Sequence, residues 1–252
     1  MGWKLFLRAV NLLIENLPEA LRVSAVPYGL VLLASVLLLE PAATPAAGTG
    51  DGTGQLGLGG GSLALPVLAL NLVASLWIAV AWHRYVLLAE RPAGWLPAWH
   101  GPEMLGYLWR SIVIGLIVGV AVVGIAIPLG ALAVGVPPLA PLVPIVGGFI
   151  GALLFYRLGV ALPARAVRRD MGLGDAMEAT RGHTGTVATL AFLTLAFTLM
   201  LQIPTALDGM AGGAGGTVTA IYQGVAGWIG LMVGVSTLTA LYGVVVEGRP
   251  VE

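Results

Sequence analysis

Between Arg110 and Arg157 the chain reads SIVIGLIVGVAVVGIAIPLGALAVGVPPLAPLVPIVGGFIGALLFY, Ser111 to Tyr156, 46 residues without a charged side chain. An α-helix rises about 1.5 Å per residue, so roughly 20 apolar residues cross a hydrocarbon layer about 30 Å thick. The run is long enough for two crossings. Pro137, Pro138, Pro141 and Pro144 fall where it must divide, because proline lacks the N–H that would continue a helix and its ring clashes with the preceding turn. Two spans follow, 112–134 and 145–162, joined by a tight turn. Working outward, four more uncharged apolar runs are long enough to cross: 23–39, 62–82, 184–207 and 219–244. With 58% apolar and 10% charged residues, the chain departs from soluble proteins, in which charged residues make up about a quarter. The expected fold is all-α: one polytopic bundle of six transmembrane helices.

The charges orient this bundle. Lys4, Arg8 and Arg22 precede or open the first span, and Arg84, Arg91 and Arg110 lie between the second and third. Arg157, Arg165, Arg168, Arg169 and Arg181 lie between the fourth and fifth, and Arg249 follows the sixth. The opposite connections, 40–61, 134–144 and 207–218, carry only Glu40, Asp51 and Asp208. The positive-inside rule places both termini in the cytoplasm. Lys4 is the sole lysine among twelve basic residues, and glycine and alanine abound. That usage points to a GC-rich genome and a bacterial inner membrane. The N-terminal apolar stretch is interrupted by Asn11, Glu15 and Asn16 and has no small-residue cleavage site, so it is expected to be retained.

Three segments read as amphipathic. In 3–17, Trp3, Phe6, Leu7, Val10, Leu13, Ile14 and Leu17 recur at helical spacing, opposite Lys4, Arg8, Asn11 and Glu15. This pattern predicts an interfacial helix lying on the membrane. Residues 93–109, with Trp95, Trp99, Tyr107 and Trp109, read as an aromatic belt, and 164–180 as a third surface element. Arg22, Arg110 and Arg181 stand just before the three outward spans, and the exits Tyr85 to Pro92 and Tyr242 to Pro250 are alike. Three tandem helical hairpins are the corresponding expectation. Gly48 to Gly61 reads as a flexible glycine-rich external loop.

No catalytic set is visible. Without cysteine there is no disulfide, thiolate metal site or iron–sulfur cluster. No glycine-rich loop precedes Lys4, which excludes a P-loop. His-Glu-x-x-His and Gly-x-Ser-x-Gly are absent. His83, His100 and His183 fall at the basic margins of the spans, where headgroups and loop carbonyls are their expected partners, and no acid falls mid-span. The expectation is a chain with no metal, no cofactor and no nucleic-acid partner. It meets the lipid bilayer, anionic headgroups and, through packing faces, another membrane protein. Mid-span polar groups are limited to amides and hydroxyls, among them Asn71, Ser75, Thr194, Thr198, Gln202, Gln223, Ser236, Thr237 and Thr239. Asn71 and Gln223 are the candidates to line a cavity. The pairs Gly115 and Gly119, Gly147 and Gly151, and Gly230 and Gly234 are each four apart, which puts both glycines on one helix face and permits close helix approach.

Tyr156-Arg157-Leu-Gly-Val-Ala-Leu-Pro163, followed by Leu173-Gly-Asp-Ala-Met-Glu-Ala-Thr180-Arg181-Gly182, resembles a pattern in uncharacterised bacterial six-span membrane proteins. These include the membrane domains of glycerophosphoryl diester phosphodiesterases. The likeness spans about thirty residues, from Tyr156 to Gly182. It implies an inner-membrane scaffold and transfers no catalytic residue, since no phosphodiesterase domain is present. The functional expectation is an accessory, assembly or scaffold component acting by helix packing. The alternative is a carrier or channel for a neutral, amphiphilic or lipid-like substrate, which requires a polar cavity. Reporter fusions after Arg91 and Arg169 should behave as cytoplasmic and a fusion after Asp208 as external; an inverted pair would overturn the orientation.

Overall fold

The computed structural model describes residues 1–39, 64–213 and 215–250. The expected glycine-rich loop, with Glu40 and Asp51, lies outside them. Among the described residues the fold is all-helical. It comprises α1 (Gly2–Glu15), α2 (Leu17–Leu39), α3 (Ala64–Leu88), α4 (Gly101–Gly135), α5 (Leu142–Gly159), α6 (Ala161–Ala166), α7 (Leu173–Arg181), α8 (Thr184–Met210) and α9 (Gly216–Val245). Six helical stretches are long and apolar enough to cross a membrane: α2, α3, α4, α5 with its flanking turns, α8 and α9. The proline cluster does divide the 46-residue run. A single 3-10 turn, Pro137–Leu139, separates α4 from α5.

Packing is concentrated at the end that carries the arginines. From Met232 to Val244 nearly every residue of α9 is buried, enclosed by α1, α3, α6 and α8. Small or hydroxylic side chains, Ser236, Thr237, Thr239, Ala240 and Gly243, alternate here with the large Met232, Leu238, Leu241 and Tyr242. Two hydroxyls donate to their own helix, Thr237 to Val233 O at 2.8 Å and Thr239 to Val235 O at 2.7 Å. These two therefore enter an apolar interior without orphaned donors, whereas Ser236 Oγ is buried without a partner among the described residues. Toward the other end α9 becomes exposed, and α8 packs chiefly on α5. The α2–α3 and α4–α5 pairs lie close along their length, whereas α8 and α9 diverge.

Three expected surface elements are corrected. Helix α1 does not simply lie on the membrane: it packs on α8 and α9, burying Gly2, Leu5, Phe6, Ala9 and Leu13. A Cβ on Gly2 would sit 2.8 Å from Thr186 O, so the close approach depends on the missing side chain. The apolar stripe is divided, Phe6 and Leu13 facing protein while Trp3, Leu7, Ile14 and Leu17 stay exposed. Helical periodicity records that a face is apolar; it does not record whether lipid or protein covers it. Residues 93–109 are likewise two things, a coil over 89–100 and the first turns of α4. Pro102 sits in the first turn, where its missing N–H costs nothing, and no breaker separates it from the span. The stretch 164–180 is interrupted because Arg168 adopts a left-handed φ of +61°. Beyond it, Gly172 N donates to the Asp175 carboxylate at 2.8 Å and opens α7.

The glycine pairs part company. Cβ atoms on Gly147 and Gly151 would lie 3.3 and 3.2 Å from Val122 of α4, so that pair seats α5 against α4. Gly115, Gly119 and Gly234 have open space where a Cβ would stand, and Gly230 has only an ordinary 3.9 Å neighbour, Leu201. Gly151→Leu should destabilise the fold by about 1–3 kcal/mol through overpacking, seen as a lower unfolding temperature in detergent. Gly119→Leu should leave the isolated chain unchanged in the same measurement, and an equal loss in both would refute this assignment.

Candidate functional site

Where α8 and α9 diverge, Thr198, Gln202 and Thr205 fall at i, i+4 and i+7 and so share one face of α8. Opposite them α9 presents Tyr222 and Gln223, then Ala226 and Gly227, then Gly230 and Leu231. Polar side chains on both walls, together with the small Ala226, Gly227 and Gly230 of α9, leave a groove of about 590 Å³. It occupies the half of the bundle away from the arginines, and no charged residue lines it. Two of its polar groups are already engaged. Thr198 donates to Thr194 O at 2.8 Å, and Tyr222 donates to Leu201 O at 2.8 Å, bracing α9 against α8. At the outer end Asp208 accepts from Gly215 N and Thr219 Oγ1, both at 2.7 Å, which clasps α8 to the start of α9.

The amides of Gln202 and Gln223 are different, for neither has a hydrogen-bond partner among the described residues. In hydrocarbon an unsatisfied amide is costly, so the groove offers two sets of donors and acceptors to whatever enters it. Its back wall is firm. Tyr28 of α2 donates to Gly224 O at 2.9 Å, and a Cβ on Gly227 would lie 2.7 Å from the Tyr28 oxygen. Trp228 Nε1 donates to Ser24 Oγ at 2.8 Å, tying the same turn of α9 to α2.

Of the two amides singled out from sequence, Gln223 lines the groove and Asn71 does not. Asn71 is exposed on α3 and meets only its own helix, Ser75 Oγ at 3.4 Å. Gln202 completes the site instead. Its signal was the Thr198, Gln202, Thr205 spacing, which becomes informative only once the facing helix is known. The glycines that position α9 against α2, Gly224 and Gly227, are three apart and fall outside the four-residue pattern.

His83 corrects the expectation that all three histidines contact headgroups or loops. It is completely buried among α3, α4 and α9, with Nδ1 2.8 Å from Thr239 Oγ1 and Nε2 3.3 Å from Tyr107 OH. The Thr239 proton is committed to Val235 O, so Nδ1–H donates to the threonine and Nε2 accepts from the tyrosine. One neutral tautomer thus satisfies the ring. His100 does lie at the margin, beside Glu90 and the Ala98 carbonyl.

The arginines are largely engaged with the protein itself. Arg84 pairs with Glu90 at 2.6 Å and donates to Ala166 O at 3.0 Å. Arg168 pairs with the buried Glu103, Arg169 with Glu247 at 3.3 Å, and the Arg165 guanidinium rests on Gly106. Of the three arginines expected to be equivalent, Arg110 is half-buried and donates to Ala161 O at 3.1 Å, beyond the end of α5. Arg22 is exposed, and Arg181 pairs within its own helix with Glu178. Their surroundings differ, so no common arrangement is found at these positions. Within the stretch from Tyr156 to Gly182, Thr180 is buried, with its hydroxyl 2.9 Å from Ala176 O and 3.4 Å from Arg157 O. Arg157 in turn donates to Thr184 Oγ1 at 2.7 Å. These contacts stitch α5, α7 and α8 together.

No family model, curated protein or solved structure matches the chain. Function is therefore argued from the geometry. Tyr107→Phe should cost about 1–3 kcal/mol by leaving His83 Nε2 without a donor, read as a lower unfolding temperature, whereas Asn71→Leu should be neutral or slightly stabilising.

Proposed function

We propose that this membrane protein binds a neutral, amphiphilic, lipid-like molecule in the groove between α8 and α9 and acts as its carrier. One observation carries this: two unpartnered amides, Gln202 and Gln223, line an uncharged cavity within spanning segments. Burying an ion there would require a countercharge, and the lining supplies none. A hydroxyl- or amide-bearing headgroup matches the donors and acceptors. From Thr198 to Thr205 the groove runs roughly 10 Å along α8, a depth at which bilayer hydrocarbon is the surrounding solvent. With the basic end assigned to the cytoplasm of a bacterial inner membrane, the groove belongs to the outer leaflet. The reading assigns no reaction, only binding and release.

A photoactivatable diacylglycerol in proteoliposomes tests it. The probe should label peptides containing 198–205 or 222–231, and Gln202→Leu with Gln223→Leu should weaken labelling about fivefold per amide, from roughly 1 kcal/mol each. Unchanged labelling of the double variant, or labelling confined to other helices, would sink the proposal.

A scaffold role is the second reading, and its observation is the open face of α4. Among the described residues nothing lies within 4 Å of a Cβ on Gly115 or Gly119, and α4 is the least buried span. Each glycine costs a helix about 1 kcal/mol relative to alanine, which a docked partner helix would offset through close packing. Loss of a higher-mass complex from native membranes on Gly119→Leu, with the isolated chain unaffected, would favour this reading; a monomer of unchanged size would exclude it.

A further inference from the structure

At the basic end the chain beyond α9 turns back at Gly248, whose φ is +66°, and lays Arg249 and Pro250 over α1. Two cavities adjoin there. One is an open cleft of about 570 Å³, bounded by Lys4, His183, Arg249 and Pro250. The other, about 140 Å³, lies between Arg8 and Arg249 over an apolar floor that includes Leu12, Leu87 and Val244. We infer that together they form a site for a phosphate group, held by Lys4, Arg8 and Arg249, with the apolar floor receiving an acyl chain.

Arg8 is held by a carbonyl, and Arg249 by a carbonyl and a carboxylate that it shares with Arg169. Arg8 donates to the Pro250 carbonyl, and Arg249 donates to Leu87 O at 3.4 Å. The Arg249 stem lies on α9 where Gly243 has no side chain, since a Cβ there would sit 3.3 Å from Arg249 Cδ. Carbonyls orient a guanidinium without neutralising it. The carboxylate in contact, Glu247, lies 2.7 Å from Arg249 Nε and is shared with Arg169 at 3.3 Å. Lys4 is exposed and has no hydrogen-bond or ion-pair partner among the described residues. The Nδ1 of His183 is a further buried polar atom without a partner. Lys4 and Arg8 thus lie beside an apolar slot with no carboxylate in contact among the described residues, next to Arg249, whose Glu247 is shared with Arg169. The site also lies where α3 and α9 end, at Leu88 and Val245, the depth of lipid headgroups. By contrast Arg168, at the same end, is taken up by the buried Glu103.

The site is independent of the groove between α8 and α9 and is tested separately. Purified full-length protein in neutral detergent would be titrated with phosphatidylglycerol, phosphatidylcholine or inorganic phosphate while its unfolding temperature is followed. Phosphatidylglycerol should stabilise, with apparent affinity about fivefold weaker for each cation removed in Lys4→Gln and Arg8→Gln. The charge-matched pair Arg22→Gln and Arg91→Gln, exposed at the same end, should bind as wild type. If inorganic phosphate stabilises as strongly as the lipid, the site takes a free phosphate; if only the lipid does, it takes a headgroup. Lys4→Gln, which removes no contact, keeps the test valid should Arg8→Gln fail to fold. Equal stabilisation by phosphatidylcholine, or equal weakening in the Arg22/Arg91 pair, would overturn the site in favour of general surface charge.

Discussion

Everything at the basic end of the bundle is arranged around one length of helix, Met232 to Val244 of α9, which is enclosed by neighbours on every side. Small side chains and polar groups that return to their own backbone are two conditions that favour such enclosure, here around the large Leu238, Leu241 and Tyr242. Ser236, Thr237, Thr239, Ala240 and Gly243 supply the first condition. The back-bonded hydroxyls of Thr237 and Thr239 supply the second. In a bilayer the hydrophobic effect does not distinguish helix from lipid, so close van der Waals packing and hydrogen bonds carry the association. The Leu238 side chain, packed where Gly159 of α5 lacks a Cβ, is one instance. His83, bridged between Thr239 and Tyr107, is the polar counterpart.

The same constraint accounts for the contrast between the two halves. Where α9 offers small residues to α2, through Gly224 and Gly227, the helices close and Tyr28 bonds across the gap. Where α8 offers Thr198, Gln202 and Thr205, they do not close, and a polar groove remains. Asp208 holds the outer ends of α8 and α9 together, so the groove is a bounded cavity rather than a frayed hairpin. Buried polar atoms without a partner among the described residues occur at the basic end too, Trp82 Nε1 and Ser236 Oγ among them. Gln202 and Gln223 differ in lining a cavity that a ligand can enter.

The arginines show how one statistical regularity conceals several physical roles. Positive-inside bias concerns which side a basic residue is left on and says nothing of what it then touches. Arg84, Arg110 and Arg168 bind carbonyls or carboxylates that join α3, α4 and the segment after α5. They act as latches between helix ends, and the free positive charge at this end is smaller than the number of arginines implies. Lys4 and Arg8, unpaired with any carboxylate among the described residues, gather instead at a cleft beside Arg249, which shares Glu247 with Arg169.

Sequence by itself determined the solvent, the number of spans and the place where the 46-residue run divides, because hydrocarbon thickness and the geometry of proline are local constraints. It also marked α1 as amphipathic and Gly147 and Gly151 as a close-packing pair. Only the tertiary structure decided which faces meet. Gly115 and Gly119 carry the same spacing as Gly147 and Gly151, yet only the latter pair finds a neighbour, Val122 of α4. Asn71 and Gln202 are both amides on spanning helices, and only Gln202 faces the small residues of α9 across a groove. Spacing fixes where a side chain points around its own axis, whereas a partner, a cavity or open lipid is a property of the helix beside it.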